Sequence, residues 1–203
     1  MGFGMDILII SVSALVASCL TFFSGFGLGT ILTPVFALFF PVSVAIAKTA
    51  VVHLANNLFK IALVGRDAHW PTVIRFALPA AMASMVGAAV LALASTGMPW
   101  VRYEWLGRTH EITAVKALIG VVISVFAILE LSSSFARLAF PARWLSIGGL
   151  LSGFFGGLSG NQGALRSAFL IKLGLTKEAY VATGAVCTVI VDLVRLVVYG
   201  FAL

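Results

Sequence analysis

Of 203 residues, 61% are hydrophobic and only 10% are charged, with a mean hydropathy of +1.13. Soluble domains carry roughly 45–50% apolar and about 25% charged residues, so this chain cannot build a water-facing surface. Soluble enzymes, DNA-binding modules, secreted disulfide scaffolds and disordered tails are excluded, and the sequence reads as an integral membrane protein partnered by a lipid bilayer. The net charge of +6 does not point to nucleic acid, because the 13 basic residues are scattered and form no cluster with interleaved aromatics. Cys19 and Cys187 both lie in apolar stretches, where cysteine acts mostly as a small hydrophobe. His53, His69 and His110 are too far apart for a local metal motif, so neither metal nor cofactor is expected.

At the N-terminus, Asp6 and the absence of a preceding Lys or Arg leave no positive n-region. A cleaved signal peptide is therefore not expected, and the segment reads as a retained first span. A hydrocarbon core of about 30 Å needs roughly 20 helical residues per crossing. Apolar runs interrupted by Gly, Pro and charge then give eight segments, at 5–24, 27–40, 42–64, 71–95, 112–131, 143–160, 163–174 and 177–202. Two are short, 27–40 and 163–174, and each follows a glycine-containing break: Ser24-Gly25-Phe26-Gly27-Leu28-Gly29 and Ser159-Gly160-Asn161-Gln162-Gly163. Irregular backbone at membrane depth survives only where protein buries it or where it lines a wet cavity. The plainer alternative is a pair of glycine turns at the membrane surface. The longest loops are 96–111, with Trp100, Tyr103 and Trp105 suited to the interface, and 132–142.

Sliding the chain by 135 positions superposes Ser24-Gly25 on Ser159-Gly160, and nine of the 51 pairs from Leu15/Leu150 to Gly65/Gly200 are identical. The chemistry of the matched positions says more than the identity. Ser13, Ala17, Thr21 and Gly25 fall on Gly148, Ser152, Gly156 and Gly160, two stripes of small residues that let another backbone come close. His53, Asn57 and Lys60 fall on Thr188, Asp192 and Arg195. Thr188, Asp192, Arg195 and Tyr199 step by four, three and four and so share one helix face, as do His53, Asn56 or Asn57, and Lys60. The expected fold is an all-α polytopic membrane protein. It is a single transmembrane domain over 1–203, of about eight helical segments with two broken-helix repeats. The copies run over approximately 5–66 and 140–201 and are linked by the helices 71–95 and 112–131. Five crossings separate the two breaks, which inverts the second copy; if 27–40 does not cross, the count is four and the copies are parallel. Loop charges favour an outside N-terminus, with Lys60, Arg66, Arg137, Arg143, Lys172 and Lys177 near the inside face, and Arg102 and Arg108 stand against it.

A charge at the bilayer centre costs somewhere between about 2.5 and 17 kcal/mol, so intramembrane charges face a bundle interior or a wet cavity. Arg166 is the sharpest such residue. It lies three residues beyond Gly163, in the first turn of a short helix whose N-terminus is already positive. An anion has to answer it, either Asp192 or a substrate. Broken helices whose N-termini meet anionic substrate groups at a repeat interface recur in secondary transporters. The candidate anion site therefore comprises Arg166, Ser24, Gly25, Ser159, Gly160, Asn161, Gln162, Gly163 and Ser167, with Lys60, Asn57 and Arg195 from the polar stripes. Lys48 joins this positive set or sits at the membrane surface. Asp192 and His53 are candidates for proton coupling or for an ion pair. The structural alternative is an Asp192–Arg195 pair, with Lys60 snorkelling towards the surface near Arg66.

Gly25-Phe26-Gly27-Leu28-Gly29, then Pro34, then Pro41 followed by Ala47-Lys48-Thr49, resembles the first-half signature of the sulfite exporter TauE/SafE family of membrane transporters. Leu158-Ser159-Gly160-Asn161-Gln162-Gly163-Ala164-Leu165-Arg166-Ser167 resembles its second-half glycine motif, in a variant carrying Gln and Arg. The triple-glycine core of the family is diluted in both halves. The family usually continues with helices mirroring 71–131, which leaves two readings here: a short member completed as a homodimer, or a piece of a longer chain. The resemblance implies transport of sulfite, organosulfonates or related small anions across the cytoplasmic (cell) membrane, often outward. An anion channel with a cationic pore is the competing function. A membrane enzyme is not expected, since no nucleophile–base pair, metal cluster or acid pair stands at useful spacing. A purely structural subunit would leave the two polar stripes as helix glue.

Overall fold

Apolar runs cut by glycine, proline and charge fold into nine α-helices in a computed structural model that describes residues 3–22, 27–105 and 108–202. They are α1 (Phe3–Thr21), α2 (Leu28–Ala37), α3 (Val42–Val64), α4 (Trp70–Ser95), α5 (Ala114–Leu131), α6 (Ser133–Ala136), α7 (Leu145–Ser159), α8 (Gly163–Leu170) and α9 (Lys177–Ala202). Four helical stretches, Val42–Asp67, Trp70–Ser95, Ala114–Leu131 and Lys177–Ala202, are long and apolar enough to cross a membrane. The protein is an all-α polytopic membrane protein, and its outward faces carry Leu, Val, Ile and Met that only lipid would solvate.

The two short elements fall where the glycines cut the apolar runs. Ten residues make α2 about 15 Å long, and eight make α8 about 12 Å, each half a bilayer or less. Gly27 enters α2 at φ 93 and Gly160 leaves α7 at φ 86, conformations a Cβ opposes. Pro34 has no N–H to give inside α2, which ends three residues later. Both α2/α8 and α3/α9 begin 135 positions apart.

The segment 96–111 is not a plain loop: Val101–Trp105 and Arg108–Ile112 form an antiparallel hairpin, β1–β2. Val101, Tyr103 and Trp105 alternate with Arg102 and Glu104, a period-two pattern that an apolar-run reading passes over. Directly opposed residues pair across it, Arg102 with Glu111 at 2.7 Å and Tyr103 stacked on His110. Thr113 then caps α5, accepting from the Lys116 backbone N–H.

Where backbones approach most closely, the stripe lies one residue along from the one the spacing singled out. A Cβ on Gly149, Gly153 or Gly157 of α7 would run into the carbonyl oxygens of Phe76, Ala80 and Ser84 of α4. These contacts rise together in both helices, so α4 and α7 run parallel, locked main chain to main chain. The stripe of Gly148, Ser152, Gly156 and Gly160 looks instead towards α8 and α9, with Gly148 under the Phe169 ring and Gly156 against Gln162 and Val191. Replacing Gly153 by alanine should therefore destabilise the protein by about 1–3 kcal/mol through overpacking. Gly120→Ala, where a Cβ meets nothing within 4 Å, should be neutral or better. Thermal unfolding in detergent compares the two.

Candidate functional site

The polar stripes of α3 and α9 face each other. His53 Nδ1 stands 2.8 Å from Asp192 Oδ2, and the His69 backbone N–H, just beyond α3, donates to Thr183 Oγ1 at 2.9 Å. One chain number rises while the other falls, so α3 and α9 are antiparallel.

Asp192 is the hub of this interface and is wholly buried. Its Oδ1 accepts from Gln162 Nε2 at 3.1 Å and from Arg195 Nε at 3.0 Å, and its Oδ2 from His53. Arg195 Nη2 lies 2.7 Å from Oδ1 but off the hydrogen-bonding angle. Arg195 also donates Nη1 to the Gly156 carbonyl at 2.9 Å, and the Tyr199 hydroxyl donates to Gly157 O. Gly157 O is one of the carbonyls that the end of α7 leaves without an intrahelical partner, while Gly156 O also accepts the Gly160 N–H at 3.0 Å. A cation at a helix C-terminus is favourable in its own right. The Asp192–Arg195 pair therefore closes a helix end, and Asp192 answers Arg195 and His53 directly.

Arg166 belongs to a different space. It is buried in the first turn of α8 and donates Nη1 to Thr188 Oγ1. With Asn57, Lys60 and Ser167 it lines an enclosed pocket of about 20 Å³, completed by Phe22, Tyr180, Val181, Gly184 and Ala185. That is room for about one water. Lys60 is only 5% exposed and forms no ion pair among the described residues; its Nζ sits 5.2 Å from the Phe22 ring centroid. Its helix-mate Asn57 donates Nδ2 to the His53 carbonyl at 2.8 Å. Two wider cavities flank the pocket. One, of about 580 Å³, shares Ser167, Tyr180 and Val181 with it; the other, of about 270 Å³, shares Phe22, Lys60 and Val181.

The predicted site thus divides. Arg166, Lys60, Asn57 and Ser167 converge on one pocket, whereas His53, Asp192, Arg195 and Gln162 form the neighbouring ion-pair network. Ser159 turns its hydroxyl back onto Phe155 O at 3.1 Å, and Ser167 does the same onto Gly163 O at 2.9 Å. Asn161 Oδ1 accepts from Thr30 Oγ1 at 3.1 Å, while its Nδ2 is buried with no partner among the described residues. A Cβ on Gly29 would touch Gly160 O and Asn161 Oδ1, so the second break packs against α2 just past the first. Ser24 and Gly25 lie outside the described residues. Lys48 is exposed, its Nζ 4.5 Å from the Phe40 ring centroid. No group of three or more His, Cys, Asp or Glu that could hold a metal stands among the described residues.

Tyr180 and Gly184, which line the pocket, were not among the expected site residues. The signal was present, since the α9 stripe runs back from Thr188 in steps of four through Gly184 to Tyr180.

A model of the family described as sulfite exporter TauE/SafE matches residues 10–203. The chain belongs to the sulfite exporter TauE/SafE family. No curated protein and no solved structure matches it. Membership makes the chain a multi-pass membrane transporter of the sulfite- and anion-exporter type. The stretches that carry the TauE/SafE resemblance form the two breaks and the short helices, and of their described residues Arg166 and Ser167 line the pocket. Gly27 opens α2, Pro34 lies inside it, Pro41 precedes α3, and Leu158–Ser167 forms the second break and the turn of α8 that bears Arg166.

Proposed function

We propose that this TauE/SafE protein is a secondary transporter that exports small anions such as sulfite or organosulfonates across the cytoplasmic membrane. Arg166 and Lys60 would bind the anion, and Asn57 and Ser167 would orient it. One observation carries the reading: Lys60 and Arg166 face a single pocket, and no carboxylate of the described residues pairs with Lys60. Two buried cations repel unless an anion joins them, so the pocket is poised for a negative ligand.

The two copies of the repeat, approximately 5–66 and 140–201, would rock against each other. The antiparallel run of α3 against its mate α9 supports an inverted arrangement. The constriction to about 20 Å³ between two wider cavities favours an occluded carrier over an open anion channel. Asp192 and His53 act as a fixed hydrogen-bonded pair in this reading, holding the α3–α9 interface beside the pocket.

Thermal stabilisation of the detergent-purified protein by sulfite, sulfate, thiosulfate, sulfoacetate, taurine and acetate tests the proposal. A ligand at 100 times its Kd stabilises the folded state by about 2.7 kcal/mol. A shift with a sulfur oxyanion that Lys60→Gln reduces, followed by saturable flux of that anion in proteoliposomes, is the expected result. Stabilisation by none of them, in a well-folded sample, overturns it.

A further inference from the structure

Glu130, near the C-terminal end of α5, is a carboxylate that neither the motifs nor the polar stripes singled out. No ion pair neutralises it among the described residues. It is half-buried and lines the cavity of about 580 Å³. Its Oε2 lies 3.8 Å from the position of a Cβ on Gly27, the residue that opens α2, and the Thr30 hydroxyl is within its reach. A negative charge is favourable beside a helix N-terminus, which explains what holds it there.

The same cavity shares the wall of Ser167, Tyr180 and Val181 with the pocket that Arg166 and Lys60 face. An ionised Glu130 and a bound anion would then be like charges in adjoining spaces, and each disfavours the other. Taking up a proton removes the conflict. Of the carboxylates in α9, Asp192 is unsuited to this task, because three side chains engage it and no solvent reaches it, and Glu178, in the first turn, lines the cavity of about 270 Å³ instead.

Resting on the anion site proposed above, we propose that Glu130 makes anion binding proton-linked: the neutral acid admits the anion, the carboxylate opposes it, and proton and anion therefore bind together. By reciprocity, the bound anion favours protonation of Glu130 by the same factor. The other titratable groups facing the cavity are Lys177 and Tyr180 of α9, with Arg166 and Lys60 across the shared wall. Thr30 of α2, Phe135 of α6 and Ser167 of α8 carry no charge, and α3, α4 and α7 contribute nothing to the lining.

Binding of methanesulfonate and of sulfite by the purified protein, from about pH 5 to about pH 9, tests this in the wild type, Glu130→Gln and Glu130→Asp. The wild type should lose at least about tenfold in affinity across that range relative to Glu130→Gln, which keeps its low-pH affinity, and Glu130→Asp should restore the loss. Lys60 also favours an anion when protonated, but its contribution persists in Glu130→Gln and cancels in the comparison. If Glu130→Gln does not fold, the wild type answers near about pH 6, where lysine side chains already carry their proton: adding methanesulfonate, which does not titrate, to a weakly buffered sample should draw protons from solution. Parallel pH profiles in wild type and Glu130→Gln, or no proton uptake, would overturn the role of Glu130 and leave the anion site standing. No binding of either anion at any pH would overturn the site and this proposal together.

Discussion

Replacing Arg166 by alanine should abolish anion-dependent thermal stabilisation while leaving a folded protein. Removing one partner of a buried, hydrogen-bonded charge contact costs about 2–5 kcal/mol of binding, a loss of roughly thirtyfold to several thousandfold. At a ligand concentration that stabilises the wild type by about 2.7 kcal/mol, almost nothing should remain. The folded state should tolerate the change, because α8 keeps Gly163, Ala164, Ala168 and Phe169 buried and its own backbone bonds. Arg166→Lys should recover part of the affinity: it restores the charge but not the planar fork that holds two oxygens at once. Stabilisation of Arg166→Ala by the same anion to the wild-type extent would remove Arg166 from the site.

Asp192→Asn should do the reverse and damage the fold first. The carboxylate is the direct counter-charge of Arg195, and its loss leaves a guanidinium buried at 0% exposure with nothing to balance it. Breaking such a pair from one side costs about 3–5 kcal/mol. In a chain of this size that corresponds to a drop in Tm on the order of 10 °C. Combining it with Arg195→Met should recover part of the loss, because the uncompensated charge goes as well. Only part returns, since the Gly156 carbonyl loses its Arg195 donor and keeps only the Gly160 N–H. An unchanged Tm in Asp192→Asn would mean that the pair does not hold the α3–α9 interface.

Much of this was legible in the chain. Long, predominantly apolar runs can only be crossings, so the limits of α3, α4, α5 and α9 follow from hydropathy to within about two residues. Spacing also placed His53, Asn57 and Lys60 on one face of α3, and Thr188, Asp192, Arg195 and Tyr199 on one face of α9. It does not say which member of one face meets which of the other. Arg166 and Asp192 are both sharp signals in sequence, and only the packing of α8 assigns one to the pocket and the other to the helix end. Glu130 escaped notice for a related reason: a charge at the end of an apolar run reads as the edge of a span, and nothing local reports the cavity it lines. The hairpin 101–112 was obscured because interfacial aromatics are expected in any membrane loop.

The seam between α4 and α7 bears on where solutes travel. Hydrated passage requires a gap at least one water wide, and a backbone carbonyl set against each of Gly149, Gly153 and Gly157 leaves none along two full turns. Side chains that rotate can open such a gap for a moment; interlocked main chains cannot without parting whole helices. The α4–α7 seam is in effect the insulating septum of the molecule, dry throughout. The pocket that Arg166 and Lys60 line, and the two cavities beside it, take no lining residue from α4 or α7. A polar residue installed in that septum would find nothing to hydrate it.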